Sequence, residues 1–274
     1  MAYPALNERA RRREAPVEID GIRGTQKKLA VVIPAYRETR LLPETVRSMP
    51  AFVDHVIVVD DGSPDETFEV ARRLGRRDRR VDVIRLGYNQ GVGRAITRGY
   101  ERALELGADV VAVMAADNQM DPDDLLDVVE PVVEDLADYA KGNRLAHPES
   151  RRMPFVRRMG TNLLARLTGL ICGMPGLCDS QCGYTAISAD MLRSVPLDEL
   201  YPRYGYPNDL LLRLSEIGAR VEQPVVRPVY ASEQSGLRIP AVILPIGGIL
   251  LRGAVRRLLS AGFVPGGFLS RSGA

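Results

Sequence analysis

The chain has no tryptophan, three cysteines, two histidines and only 5% aromatic residues. Three thiols, Cys172, Cys178 and Cys182, cannot all pair within one chain, and their spacing is neither Cys-x-x-Cys nor accompanied by a nearby histidine. They read as reduced thiols, not as a disulfide framework or a zinc site. His55 opens an apolar run and His147 lies in a polar stretch, and neither has a serine or cysteine elbow near it, which disfavours a Ser-His-Asp hydrolase. No stretch of about 18 apolar residues occurs that could span a bilayer. Met1 to Lys28 lacks the uninterrupted apolar core of a secretory signal. The expectation is a protein made and kept in the cytosol. Strong net charge is missing as well: 37 basic and 35 acidic side chains give +2, which argues against a nucleic-acid-coating protein and predicts no nucleic-acid partner.

What is present is a globular composition, 45% apolar and 26% charged, in 274 residues, enough for one large domain with a real core. The charge is unevenly placed. Residues 1–28 carry seven Lys/Arg against four acids, residues 236–274 carry five Arg and no acid, and the body between them holds 25 basic and 31 acidic groups. The first 28 residues predict a flexible basic arm. Ile239 to Leu251 is apolar, broken by Pro240, Pro245 and Gly247-Gly248, too short to span a bilayer, and runs into Arg252, Arg256 and Arg257. Residues 236–274 therefore predict an amphipathic segment lying in a membrane interface, with packing on the domain as an ordinary amphipathic helix as the alternative.

Between the ends, short β-branched runs alternate with helical periodicity. Leu29 to Pro34 and His55 to Val59 have the apolar character of strands buried on both faces, and Val81 to Leu86 and Val110 to Met114 read as a third and a fourth strand. Helices are predicted over 41–49, from near Pro64 with Ser63 as N-cap, along the face Val92, Ile96, Tyr100, Ala103 and Leu104, and over 121–135, where Asp121-Pro122-Asp123-Asp124 reads as a helix start. Four βα units in a row predict an α/β fold, a Rossmann-like, mostly parallel sheet with helices on both faces and ligands at the carboxyl ends of its strands. The second half predicts a strand near Asp138 to Gly142, a helix around Met159 to Leu170, a strand at Tyr184 to Ser188, a helix over 206–218 and a last strand at Arg220 to Val226. Gly91-Val92-Gly93 imitates a dinucleotide fingerprint, but Ile96 stands where its third glycine belongs and the motif follows the third strand, so a NAD site is not expected.

The predicted strand ends carry Glu38, Asp60, Asp61 and Asp117. Carboxylates placed there accept hydrogen bonds from a base or ribose and hold a divalent cation against phosphate oxygens. In order, the chain shows Ile33-Pro34-Ala35-Tyr36-Arg37-Glu38, Val58-Val59-Asp60-Asp61-Gly62-Ser63-Pro64-Asp65, Asn89-Gln90-Gly91-Val92-Gly93, Asp117-Asn118-Gln119-Met120-Asp121-Pro122, Gly142-Asn143-Arg144 and Asp179-Ser180-Gln181-Cys182-Gly183-Tyr184. This series resembles the family 2 glycosyltransferases of GT-A fold, in their polyprenyl-phosphate, dolichol-phosphate mannose synthase-like branch, over residues 29 to about 235.

The resemblance implies an inverting transfer of a hexose from a UDP- or GDP-linked sugar to a polyprenyl (dolichyl or undecaprenyl) phosphate, in cell-envelope glycan or glycoprotein synthesis. It also implies an enzyme peripheral to the inner face of the cytoplasmic membrane, with a membrane-protein partner or a homo-oligomer left open. Pro34, Tyr36, Glu38 and Asp61 match positions that hold base and ribose, with Ala35 and Gly91 beside them in the donor site. Asp117 and Gln119 match two members of a metal-binding Asp-x-Asp-x-Gln for Mg²⁺ or Mn²⁺, Arg144 a basic residue facing the phosphates, and Arg158 lies near the acceptor-phosphate arginine. Ala115 departs from the pattern, standing where an aspartate is expected. A transferase with a soluble acceptor, or a non-catalytic nucleotide-sugar-binding subunit, are the alternatives.

Overall fold

The computed structural model describes residues 26–229 and 239–259. The arm expected over 1–28 lies outside the described residues except for its last three, and so does much of 236–274. Seven strands make one sheet: β1 (Leu29–Ala35), β2 (His55–Asp60), β3 (Val81–Arg85), β4 (Val110–Val113), β5 (Tyr139–Lys141), β6 (Thr185–Ser188) and β7 (Val221–Glu222), in the order β3-β2-β1-β4-β6-β5-β7. β1 pairs in parallel with β2 and β4, and β2 with β3, as the four βα units predict.

Side chains alternate across the strands, so β1 sends Leu29, Val31, Ile33 and Ala35 into one core and Ala30 and Val32 into the other. The first core is closed by α1 (Leu42–Arg47), α2 (Thr67–Gly75) and α4 (Leu125–Val133) through Leu42, Val46, Val70, Leu125, Val128 and Val132. The second is closed by α3 (Val92–Glu105), α6 (Ala189–Ser194) and α7 (Tyr206–Glu216). Tyr206 donates its hydroxyl to that of Tyr100 at 2.9 Å, so two fully enclosed phenols satisfy each other where α7 crosses α3. α5 (Phe155–Cys172) and α8 (Ile239–Leu259) complete the fold, with α8 packed on α5 and α7.

Four details differ from the sequence reading. Ser63 does not cap α2, which begins at Thr67; its Oγ instead accepts the N–H of Arg37 across the crevice. The helix expected from 121 opens as a 3-10 turn, Pro122–Asp124, capped by Asp121, before α4. The last strand is two residues long, because Pro224 has no N–H to continue the ladder; its carbonyl accepts from Asn143 instead. The segment expected to break at Pro245 and Gly247-Gly248 is one helix, α8. An interior proline costs about 3 kcal/mol, and the burial of Ile246, Ile249 and Leu250 against the domain works against that cost.

β6 runs antiparallel between β4 and β5, which restores β5 to the direction of β4. The loop leaving β5 and the loop entering β6 therefore open at the same edge as the loops leaving β1, β2 and β4. At this edge Lys141 is fully enclosed, donating to the Cys182 carbonyl at 2.5 Å. Burial lowers its ammonium from 10.5 to about 8, against the pull of Cys182 and Asp179. Between these values the unfolded chain holds a proton that the folded one has lost, so stability contributed by this group rises with pH across about 8 to 10.5. Lys141→Met is expected to remove that rise. Urea melts of both proteins at pH 7.5, 9 and 10.5 check it, and a stability difference independent of pH would refute it.

Candidate active site

The loops at the carboxyl ends of β1 to β4 are tied to one another. After β1, the N–H of Glu38 donates to Thr67 Oγ1 at 2.9 Å, while Ala35 O accepts the N–H of Asp61 at 2.9 Å. Ala35 is buried, Pro34 half-buried and Tyr36 exposed, with the Arg37 guanidinium 5.4 Å from the Tyr36 ring centroid. Arg37 adopts a φ of 61°, a left-handed conformation uncommon for a residue with a Cβ. Asp65 accepts from the hydroxyls of Thr39 and Thr67 at 2.8 and 2.6 Å. Burial pushes its carboxyl up, but these bonds outweigh it and hold the group below the usual range.

Asp61 is 3% exposed, and its two oxygens accept the backbone N–H groups of Gln90 (2.7 Å) and Gly91 (2.8 Å). Burial raises its carboxyl, and the two amides offset part of that rise. The aspartate expected to hold a nucleoside thus also fixes the loop after β3. Gly91 has a φ of 103°, and a Cβ there would lie 2.5 Å from the Pro202 carbonyl, so only glycine fits. Asp60 is fully buried, with Oδ1 accepting from Ser63 N–H at 3.2 Å. Its Oδ2 makes no hydrogen bond and faces Arg85 Nε at 3.5 Å. A cleft of about 390 Å³ lies beside this loop, lined by Asn89, Gln90, Arg94, Asp198, Pro202 and Arg203 among others.

After β4, Thr45 donates to Asn118 Oδ1 at 2.8 Å, and Asn118 takes a φ of 55°. That turn leaves Asp117 half-buried and Gln119 exposed, with the Gln119 N–H bonded to Asp117 Oδ1 at 3.0 Å. Ala115 contributes only its backbone, whose N–H meets Met120 Sδ at 3.2 Å. Among the described residues no group of three or more His, Cys, Asp or Glu could hold a metal. One carboxylate and one carboxamide are hard oxygen donors that fit Mg²⁺ or Mn²⁺ when water and phosphate oxygens supply the other ligands, and they do not make a cage by themselves.

Arg144, after β5, is held by a two-point pair to Asp179, Nε to Oδ2 at 2.8 Å and Nη2 to Oδ1 at 3.1 Å. Burial pushes the Asp179 carboxyl up, but Arg144 overcomes this and keeps it below the ordinary value. Behind the pair, Gln181 Nε2 donates to Asn208 Oδ1 at 2.7 Å and Asn208 Nδ2 to Thr168 Oγ1 at 2.8 Å, which joins the β6 entry loop to α7 and α5. Arg158 sits half-buried in the first turn of α5. His147 accepts the Glu149 N–H through Nδ1 and caps a 3-10 turn.

Two residues were not singled out as site candidates from sequence. Asp179 is the partner of Arg144, and its place in the Asp179 to Tyr184 motif was the available signal. Asp209, 1% exposed on α7, accepts from the Tyr201 N–H at 2.9 Å, pairs with Arg213 at 3.6 Å and bonds Arg252 of α8. It anchors the 198–203 side of the cleft, and nothing in its sequence surroundings distinguishes it from a surface helix acid.

A model of "Glycosyl transferase family 2" matches residues 30–194. A UDP-N-acetylglucosamine–dolichyl-phosphate N-acetylglucosaminyltransferase of Methanococcus voltae is 29% identical over 74% of this chain and 86% of that protein. An undecaprenyl-phosphate mannosyltransferase of Micrococcus luteus is 32% identical over 76% of this chain and 88% of its own. The fold is similar to that of glucosyl-3-phosphoglycerate synthase of Mycobacterium tuberculosis, solved with Mn²⁺, UDP and glucosyl-3-phosphoglycerate: TM-score 0.67, 18% identity, 87% of this chain and 83% of that one.

Removing one partner of a buried ion pair leaves the other uncompensated, at a cost of about 3 kcal/mol for a pair enclosed on one side. Arg144→Met is expected to lose that much stability at pH 7. Because Arg144 depresses the Asp179 carboxyl, the loss is complete above the unfolded carboxylate range and shrinks as pH falls below about 4. Urea melts at pH 7 and pH 3 check it; an equal loss at both would assign the effect elsewhere.

Proposed function

The chain belongs to glycosyl transferase family 2, and on that premise we propose that it is a glycosyltransferase that moves a hexose from a nucleotide-diphosphate sugar to a polyprenyl phosphate, at the inner face of the cytoplasmic membrane. The observation that carries this is that two relatives matched over nearly their whole length differ in the sugar named, N-acetylglucosamine and mannose, yet both act on a dolichyl or undecaprenyl phosphate. The acceptor is the shared property, and the sugar is what varies. Among the described residues no helix is long and apolar enough to cross a membrane.

In this reading Pro34, Ala35, Tyr36, Glu38 and Asp61 line the nucleoside end of the donor site, and Gly91 lets the backbone approach it. The leaving nucleoside diphosphate gains negative charge as the glycosidic bond breaks. Arg144, kept in one orientation by Asp179, presents its guanidinium where that charge develops, without reorganisation during reaction. Asp117 and Gln119, together with the donor phosphates, would hold Mg²⁺ or Mn²⁺, which would supply further neutralisation of the diphosphate. The acceptor phosphate has its second pKa near ~6 and attacks already ionised, so no strong general base is required. Arg158, at the start of α5, is the candidate for holding that phosphate. Attack from the face opposite the leaving group inverts the anomeric centre.

A panel of UDP- and GDP-sugars is to be tested with a short polyprenyl phosphate, with and without Mg²⁺ or Mn²⁺, measuring glycolipid. One sugar donor is expected to give product, and Asp117→Ala or excess chelator to abolish it. Full turnover in chelator would overturn the metal role, an Asp117→Ala variant as active as the parent would overturn the site, and transfer to soluble phosphates alone would replace the lipid acceptor. No release of diphosphate from any donor would leave a binding subunit.

A further inference from the structure

A short seam, residues 224–228, runs between the loop after β4 and the loop after β5. On one side Asn143 bridges Val225, its N–H donating to the Pro224 carbonyl at 2.8 Å and its carbonyl accepting the Val226 N–H at 3.3 Å. On the other side Pro228 bridges Met120, and the Arg227 N–H donates to Oδ2 of the buried Asp124 at 2.6 Å. A Cβ on Gly142 would lie 2.9 Å from Val226 Cγ2, so the end of β5 meets the seam at a distance that glycine permits. The backbone at 227 is thus held from both sides before its side chain makes any contact.

The Arg227 side chain spans the two loops. Its Nε donates to Glu149 Oε1 at 3.1 Å, and its Nη1 lies 3.7 Å from Asp121 Oδ2. Asp121 stands two residues after Gln119, and Glu149 five residues after Arg144. Both intervals are braced by bonds of their own. Before Asp121, Met120 Sδ meets the Ala115 N–H, and the Asp121 carbonyl accepts the Tyr184 hydroxyl at 3.0 Å. After Arg144, the Ala146 N–H donates to Asn143 Oδ1 at 3.1 Å, the His147 N–H to the Arg144 carbonyl at 3.3 Å, and Ser150 Oγ to the Leu145 carbonyl at 3.1 Å. A shift at Asp121 or Glu149 is therefore carried towards Gln119 and Arg144 instead of being absorbed by loose chain.

We propose that Arg227 is a positioning residue, which sets the separation between the cation-holding side chains Asp117 and Gln119 and the guanidinium of Arg144, so that both meet one donor diphosphate. An ion pair half open to water contributes little stability by itself. What a guanidinium with one carboxylate from each loop supplies is a fixed spacing, and a displacement of about 1 Å at a reacting group costs on the order of 100-fold in rate. Arg227 lies outside residues 30–194, the part of the chain that matches the family model. The proposal rests on the donor site described above, and it adds to that site a residue that does not touch the donor.

The side chain can be tested without opening the seam, because any residue but proline at 227 keeps the N–H that meets Asp124. In the full chain without ligand, R227M is expected to speed hydrogen exchange at the amides of 117–121 and 144–150, with 61–65, 88–91 and the urea midpoint unchanged. With UDP or GDP, whichever the parent binds, R227M is expected to weaken Mn²⁺ binding to the nucleotide complex about tenfold by electron paramagnetic resonance, and to lower kcat about tenfold with the donor KM little changed. Nucleotide affinity without metal should stay the same. R227K, a point charge that meets one carboxylate at a time, is expected to fall between. Unchanged exchange in the two loops, or an R227M variant with the parent's Mn²⁺ affinity and kcat, overturns the proposal. So does exchange raised across the whole sheet with a lowered urea midpoint, which would make Arg227 a general stabiliser. Exchange altered as expected, in a chain whose parent binds neither nucleotide, would keep Arg227 as the tie between the loops and reject the donor site.

Discussion

A buried carboxylate costs several kcal/mol unless donors meet it, and that requirement organises one end of this molecule. Asp61 is met by the amides of Gln90 and Gly91, Asp179 by the guanidinium of Arg144, Asp124 by the Arg227 N–H, and Asp209 by Tyr201, Arg213 and Arg252. All of these but the Tyr201 and Arg213 contacts join segments far apart in the chain. Loops that would otherwise be independent of one another are thereby tied together at that end of the sheet.

The reversed strand β6 decides which groups meet at that end. A purely parallel sheet would carry the segment before β6 to the opposite edge. Running β6 backwards brings Asp179 to the same edge as Asp117, where it can orient Arg144. Asp117 and the Arg144–Asp179 pair thus come from opposite halves of the chain, the acid from the regular βα half and the arginine with its anchor from the irregular half. The cleft beside the loop after β3 is connected to α8: Arg252 joins α8 to Asp209, and Asp209 holds the backbone at Tyr201.

The first half of the fold was legible because strands buried on both faces must be continuously apolar, and Leu29–Ala35, Val110–Val113 and residues 56–59 of β2 are. Local chemistry was a poorer guide wherever a side chain had a distant competitor. Ser63 has the composition of an N-cap, but its oxygen accepts from Arg37. Pro245 reads as a break, yet burial on the domain carries α8 through it. Asp61 was recognisable as a strand-end acid, while its bond to the following loop depends on where that loop lands. Met159, Leu163, Leu167 and Leu170 have the spacing of an ordinary core-facing stripe, and their exposure becomes apparent only when the opposite face of α5 is found to be buried.

The sequence by itself determined the alternation of strand and helix, the parallel first half of the sheet, the acids at its strand ends and the family resemblance, because these follow from local periodicity and from ordered motifs. Tertiary structure alone decided the direction of β6, the partners of the buried charges, and which face of α5 looks outward. Those outcomes depend on which groups meet across long separations in the chain, and a periodic pattern states that a face is apolar without stating what covers it.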